Sequence, residues 1–215
     1  MNTQAGSEQL ALEGEGRRDF LLLVAGATGG VALVSALWPL IGSLSPSADI
    51  VAAGASVDFD VSQLQPAHQK IVAWRGRPVF VLRRTADELR MLQEKRDTSL
   101  LRDPGSASHQ QPGYAKNWHR SIEPEYLVVV GICTHLGCIP RLEAQVGGSF
   151  GANWPGGYFY PCHGSKYDLA GRVFAGVPAP YNLPVPPYHF FNKTMIRIGE
   201  NPPTEKFDFS SIEQV

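Results

Sequence analysis

Cys133-Thr134-His135-Leu136-Gly137-Cys138 and Tyr160-Pro161-Cys162-His163-Gly164-Ser165 are the two stretches on which the reading of this chain turns. Each sets a thiol near an imidazole among Gly or Pro, and a soft thiolate beside an imidazole is a ligand pair for iron or zinc. All three cysteines of the chain lie in these two boxes. Taken singly, each residue has a plainer reading, since a free cysteine is often a small buried hydrophobe. Taken together, the boxes point to a metal site. A zinc set of Cys133, His135, Cys162 and His163 satisfies tetrahedral ligand chemistry but gives Cys138 no role, and an iron-sulfur centre is the other choice.

The paired boxes resemble those of the Rieske iron-sulfur proteins, whose pattern is C-x-H-x-G-C followed by C-x-C-H-x-S. The mismatch is Tyr160, which stands where the second box opens with cysteine. The resemblance implies Cys133 as a sulfur ligand, His135 and His163 as nitrogen ligands of a 2Fe-2S cluster, and position 160 as the second sulfur ligand. It implies that Cys138 and Cys162 form a disulfide between the two loops. Tyr160 leaves the set one thiolate short, because a phenol of pKa about 10 offers a hard oxygen on a long rigid ring. The cofactor is therefore expected absent or under-occupied.

The resemblance extends beyond the boxes. Ser165 and Tyr167 match the hydroxyl donors that, in respiratory members, bond to a bridging sulfide and a ligand sulfur and so raise the cluster potential. The stretch 176–187, with Pro178 and Pro180, is similar to a proline-stiffened loop that covers the cluster. The likeness is to the iron-sulfur subunits of bacterial ubiquinol-cytochrome c reductases. It implies an electron carrier from ubiquinol to a c-type cytochrome, with His135 or His163 hydrogen-bonding the quinol and accepting its proton. Histidine ligation would place the potential within roughly −150 to +300 mV. The alternative is a ligand-deficient variant serving as an assembly subunit, while a Rieske ferredoxin or oxygenase component would ordinarily lack both the anchor and the Cys138/Cys162 pair.

Residues 20–48 carry no charge, and the apolar part, 20–41, is about the roughly 20 residues that cross a bilayer. Gly16-Arg17-Arg18-Asp19-Phe20-Leu21 matches a twin-arginine export signal, and the arginines also fit the positive-inside rule. A cleaved signal would have a shorter apolar region, about 7–15 residues. The sequence therefore predicts a cytoplasmic 1–19, an uncleaved single-pass anchor at 20–41 and a hinge linker at 42–56. A periplasmic head at 57–199 and a polar tail at 200–215, loosely ordered or docking, complete the order. The location implied is the bacterial inner membrane.

The head reads as mostly β, an antiparallel Rieske-type domain with a small cluster-binding subdomain and one helical insertion. Residues 56–62, 77–82, 125–131 and 193–198 have strand character, and Thr85-Ala-Asp-Glu88 opens a capped helix through about Arg96. Residues 97–122 read as polar loop. His68, His109, His119 and His189 read as surface or loop histidines. Nineteen basic against 20 acidic residues give no surplus for nucleic acid. The implied partners are cytochrome b, a c-type cytochrome, ubiquinol and membrane lipid, in a dimeric complex.

Overall fold

The computed structural model describes residues 4–43, 54–94, 99–147, 150–151 and 154–213, and side chains from Gly16 on. Two units divide the chain, Met1–Val51 and Ala52–Val215. Most of the expected hinge lies outside the described residues.

The described part of the first unit is one helix, α1 (Gln4–Ser43), which begins well before the apolar stretch does. Its segment Gly16–Ser43 is long and apolar enough to cross a membrane. Leu23 and Trp38 are fully presented to the surroundings, at 74% and 77% exposure. So many bare apolar side chains on one helix are suited to lipid, not to water. Thr28 donates its hydroxyl back to the Val24 carbonyl at 2.8 Å, which removes its polarity from the helix surface.

The second unit carries three small antiparallel sheets. The strands are β1 (Val57–Asp60), β2 (Gln69–Trp74), β3 (Arg77–Arg83), β4 (Tyr126–Val130), β5 (Arg141–Glu143), β6 (Gly157–Phe159), β7 (Lys166–Asp168), β8 (Tyr188–Phe190) and β9 (Met195–Ile198). They pair in the orders β1-β9-β8, β2-β3-β4 and β5-β6-β7. β2 and β3 form a hairpin with Trp74 opposite Arg77, so its turn is Arg75-Gly76. Both residues have positive φ, as a two-residue type I′ turn requires. β3 and β4 are nearly all apolar, and Val79–Leu82 with Leu127–Val130 form the sealed centre of the core. Tyr158 of β6 stacks on Phe80 of β3 at 5.7 Å between centroids, which joins the third sheet to this centre.

The helix α2 (Ala86–Glu94) sits where the capped helix is expected. Thr85 accepts from the Glu88 N–H at 3.1 Å while Glu88 accepts from the Thr85 N–H at 2.7 Å, the reciprocal pair of a capping box. Residues 95–98, in which the expected helix end falls, lie outside the described residues.

Two expectations are corrected by burial. The described part of the expected loop 97–122, from residue 99, is not a solvated connection: Leu101 bridges to Phe174, and Gln110, Arg120 and Ser121 are buried. Arg120 donates to the carbonyls of Ala170, Gly171 and Leu183, and Arg84 to those of His119, Pro124 and Leu169. Burial pulls both guanidinium pKa values down to about 10, still far above neutrality, so both remain charged. Together they fix the turn 169–171 that follows β7. The tail is docked, with Phe207, Phe209 and Ile212 buried and Phe209 edge-on to Trp74 at 5.1 Å.

His119 is the second correction. It is 9% exposed, and its Nδ1 lies 2.8 Å from Ser121 Oγ. That hydroxyl donates to the Glu123 carbonyl and accepts from Arg84, so the imidazole must be the donor in this pair. Burial first, and then the Arg84 charge, hold its pKa down to about 4. An unfolded histidine titrates near 6.5. The unfolded chain therefore binds the proton first, and this contribution to stability is complete above about pH 6.5 and lost progressively toward pH 4. The head should melt at lower temperature across that window, and His119→Gln should flatten the slope. An unchanged slope in calorimetry of the variant would contradict the assignment.

Candidate metal centre

The two boxes fold into closely similar turns. Cys133 donates its N–H to the Cys138 carbonyl and accepts from Gly137, at 2.9 and 3.1 Å; Tyr160 donates to Ser165 and accepts from Gly164, both at 2.9 Å. Positions 133 and 160 thus occupy equivalent places, first of six, each on a loop that leaves a strand of the sheet framework. Gly137 and Gly164, fifth in each, have φ of 82° and 76°, a left-handed backbone that a side chain would strain.

The turns converge. Cys138 and Cys162 form a disulfide. The rings of His135 and His163 meet edge-on with centroids 4.8 Å apart. Cys133 is the free cysteine and is buried. The Tyr167 hydroxyl lies 3.7 Å from Cys133 Sγ and accepts the Thr134 N–H at 3.3 Å. Thr134 is a residue that the sequence reading passes over. Its hydroxyl sits 3.0 Å from that of Tyr167 and donates to the Tyr181 carbonyl at 2.8 Å, tying the first box both to β7 and to the proline loop. The variable second position of the box gave no chemical signal for it. Ser165 Oγ accepts the Ala179 N–H at 3.1 Å, between Pro178 and Pro180, which ties the proline-rich stretch to the second box.

Tyr160 follows β6, where strand alternation puts it on the same inward side as Tyr158. Its ring is 1% exposed and packs 5.0 Å from that of Tyr167. Its hydroxyl has no hydrogen-bond partner among the described residues, and neither does buried His135 Nδ1. Desolvation, then Tyr167 and Cys133 beside it, push the phenol pKa well above its ordinary value. The donor set fails the test for a four-ligand iron-sulfur cluster. Cys133, His135 and His163 are the right ligand types, but the place equivalent to Cys133 holds a neutral, buried phenol in which a short thiolate is required. Among the described residues, no three Cys, His, Asp or Glu side chains group as a metal-ion set.

A mostly β head whose two similar loops bring a Cys-x-His and a Cys-His pair together across a disulfide defines a Rieske-type protein. A family model described as the ubiquinol-cytochrome c reductase Fe-S subunit twin-arginine (TAT) signal matches residues 11–47. The chain is 47% identical over 186 residues to the ubiquinol-cytochrome c reductase iron-sulfur subunit of Allochromatium vinosum, covering 86% of this chain and 89% of that one. It is 40% identical over 191 residues to that of Rhodobacter capsulatus, covering 85% and 95%. A chain of a hyperthermophilic respiratory Complex III superposes with a TM-score of 0.45 at 26% identity, over 80% of this chain and 97% of that chain. The chain belongs to the family of ubiquinol-cytochrome c reductase iron-sulfur subunits.

Proposed function

We propose that this chain takes the iron-sulfur subunit's place in a ubiquinol-cytochrome c reductase, and that with Tyr160 it does so without a complete 2Fe-2S cluster. The supporting observation is the equivalence of Cys133 and Tyr160 in matching turns, one a thiol and the other a buried phenol with no hydrogen-bond partner among the described residues. The contacts around the boxes support the reading: Cys138 and Cys162 form a disulfide, the rings of His135 and His163 meet, Tyr167 reaches Cys133, and Ser165 accepts the Ala179 N–H. Passing an electron from ubiquinol to a c-type cytochrome, with His135 or His163 facing the quinol, is the role of a chain with sulfur at position 160. Here the head serves as a structural subunit beside cytochrome b and a c-type cytochrome, in a dimeric complex. Helix α1 anchors it in the bacterial inner membrane, with the head on the periplasmic side.

The test is iron and acid-labile sulfide content of the full chain purified with its complex, together with electron paramagnetic resonance after reduction. The chain should fractionate with both cytochromes and give little iron and no Rieske signal. A full-occupancy signal would overturn the cluster-poor reading, and failure to fractionate with the cytochromes would overturn the subunit role.

A further inference from the structure

Four observations converge on the ring of Tyr160. It is almost wholly enclosed and belongs to the same buried cluster as Cys133, Tyr158 and Tyr167. Its backbone is fixed at both N–H and C=O within the second box. It packs on Tyr167, whose hydroxyl touches the first box at both Cys133 and Thr134. Its own hydroxyl meets no hydrogen-bond partner among the described residues. What this residue supplies is therefore apolar volume between the two loops.

We propose that Tyr160 is an internal plug: its ring fills the space between the box loops and joins them by packing, so that the head holds its tip geometry and shields Cys133 without iron. This rests on the cluster-poor reading of the site. The protein's own links across the tip join the same two loops. The Cys138–Cys162 disulfide connects the boxes, Thr134 bonds to Tyr167 and Tyr181, and Ser165 holds Ala179. A buried aromatic is well suited to the remaining gap, since truncating one leaves a cavity whose lining atoms lose their contacts.

The experiment uses the full chain in detergent with two variants, Tyr160→Phe and Tyr160→Ala, and reads melting temperature, iron content and the rate at which folded Cys133 reacts with a maleimide. Tyr160→Phe keeps the ring and removes only an unpartnered hydroxyl, so it should melt within about 2 °C of the parent or above it. Tyr160→Ala should melt about 10 °C lower. Its Cys133 should label at least about tenfold faster, because local opening of the tip becomes cheap. A strong chelator should leave the parent's melting unchanged. If Tyr160→Ala changes neither melting nor labelling in an iron-free parent, the plug is wrong while the cluster-poor reading stands. If Tyr160→Phe is as damaging as Tyr160→Ala and releases metal, the hydroxyl is a ligand and the plug is again wrong. Full iron in the parent would defeat the cluster-poor reading itself.

Discussion

Tyr160→Cys is expected to convert the head from nearly iron-free to nearly fully loaded, with a Rieske-type resonance appearing on reduction. The side chain it restores stands in a turn that already repeats the hydrogen bonding of Cys133, so no backbone change is needed to present the sulfur. The other three ligand positions hold residues of the appropriate types, and among the described residues buried His135 Nδ1 has no competing hydrogen bond to give up. Tyr167 is already within reach of Cys133, where a hydroxyl aimed at a ligand sulfur raises the potential. The substitution also removes a packed ring, a loss of roughly 3–5 kcal/mol for truncating a large buried aromatic. Loading and stability should therefore move together: the variant should melt below the parent in iron-starved cells and recover when iron is supplied, since metal binding to the native state is folding free energy. Iron analysis, resonance spectra and melting of the two chains from iron-replete and iron-starved cultures decide it. A Tyr160→Cys chain that stays iron-free in rich medium would show that more than one ligand separates this head from a cluster carrier.

The boxes were readable because cysteine and histidine are scarce and chemically singular, so their spacing survives without any knowledge of the fold. β3 and β4 were readable for a different reason, being long runs of buried apolar residues. Four other strands, β5 to β8, have three residues each, too few to show a period of two, and only their pairing makes them strands. Arg84 and Arg120 carry the clearest surface label in the sequence and are wholly buried, because backbone carbonyls of the turn after β7 and of neighbouring loops accept most of their N–H groups. His119 hides because its ring is bonded to Ser121 and its carbonyl to Arg84, neither of which follows from any histidine pattern. Phe207 and Phe209 dock the tail although Glu205, Lys206, Asp208, Ser210 and Ser211 around them suggest solvent. At the site itself, the mismatch at Tyr160 was visible at once. Its inward burial and the idle hydroxyl were not, since both depend on the alternation that β6 imposes on the residue after it.

Replacing Arg17 and Arg18 together by Lys is expected to abolish export of most of the folded head while leaving the chain synthesised and folded. Both arginines lie on α1 at the start of the span Gly16–Ser43, exposed, with Arg18 only 3.4 Å from Asp19. Lysine keeps both positive charges, so any role these residues have in the positive-inside rule is preserved. A receptor-read address is different, because it recognises the guanidinium pair and not the charge. The two functions thus separate in one variant. The segment Gly16–Ser43, at 1.5 Å per residue, spans about 42 Å and is longer than a hydrocarbon core of roughly 30 Å, so the helix can enter the bilayer with either residue pair. The measurement is protease accessibility of the head in spheroplasts, with alkaline carbonate extraction of the membranes. The parent head should be digested from outside and stay in the membrane pellet, whereas the lysine variant should be protected. A variant digested as readily as the parent would mean that the arginines act only as charge. A soluble parent fragment starting near Ser47 would mean that α1 is cleaved and is no anchor.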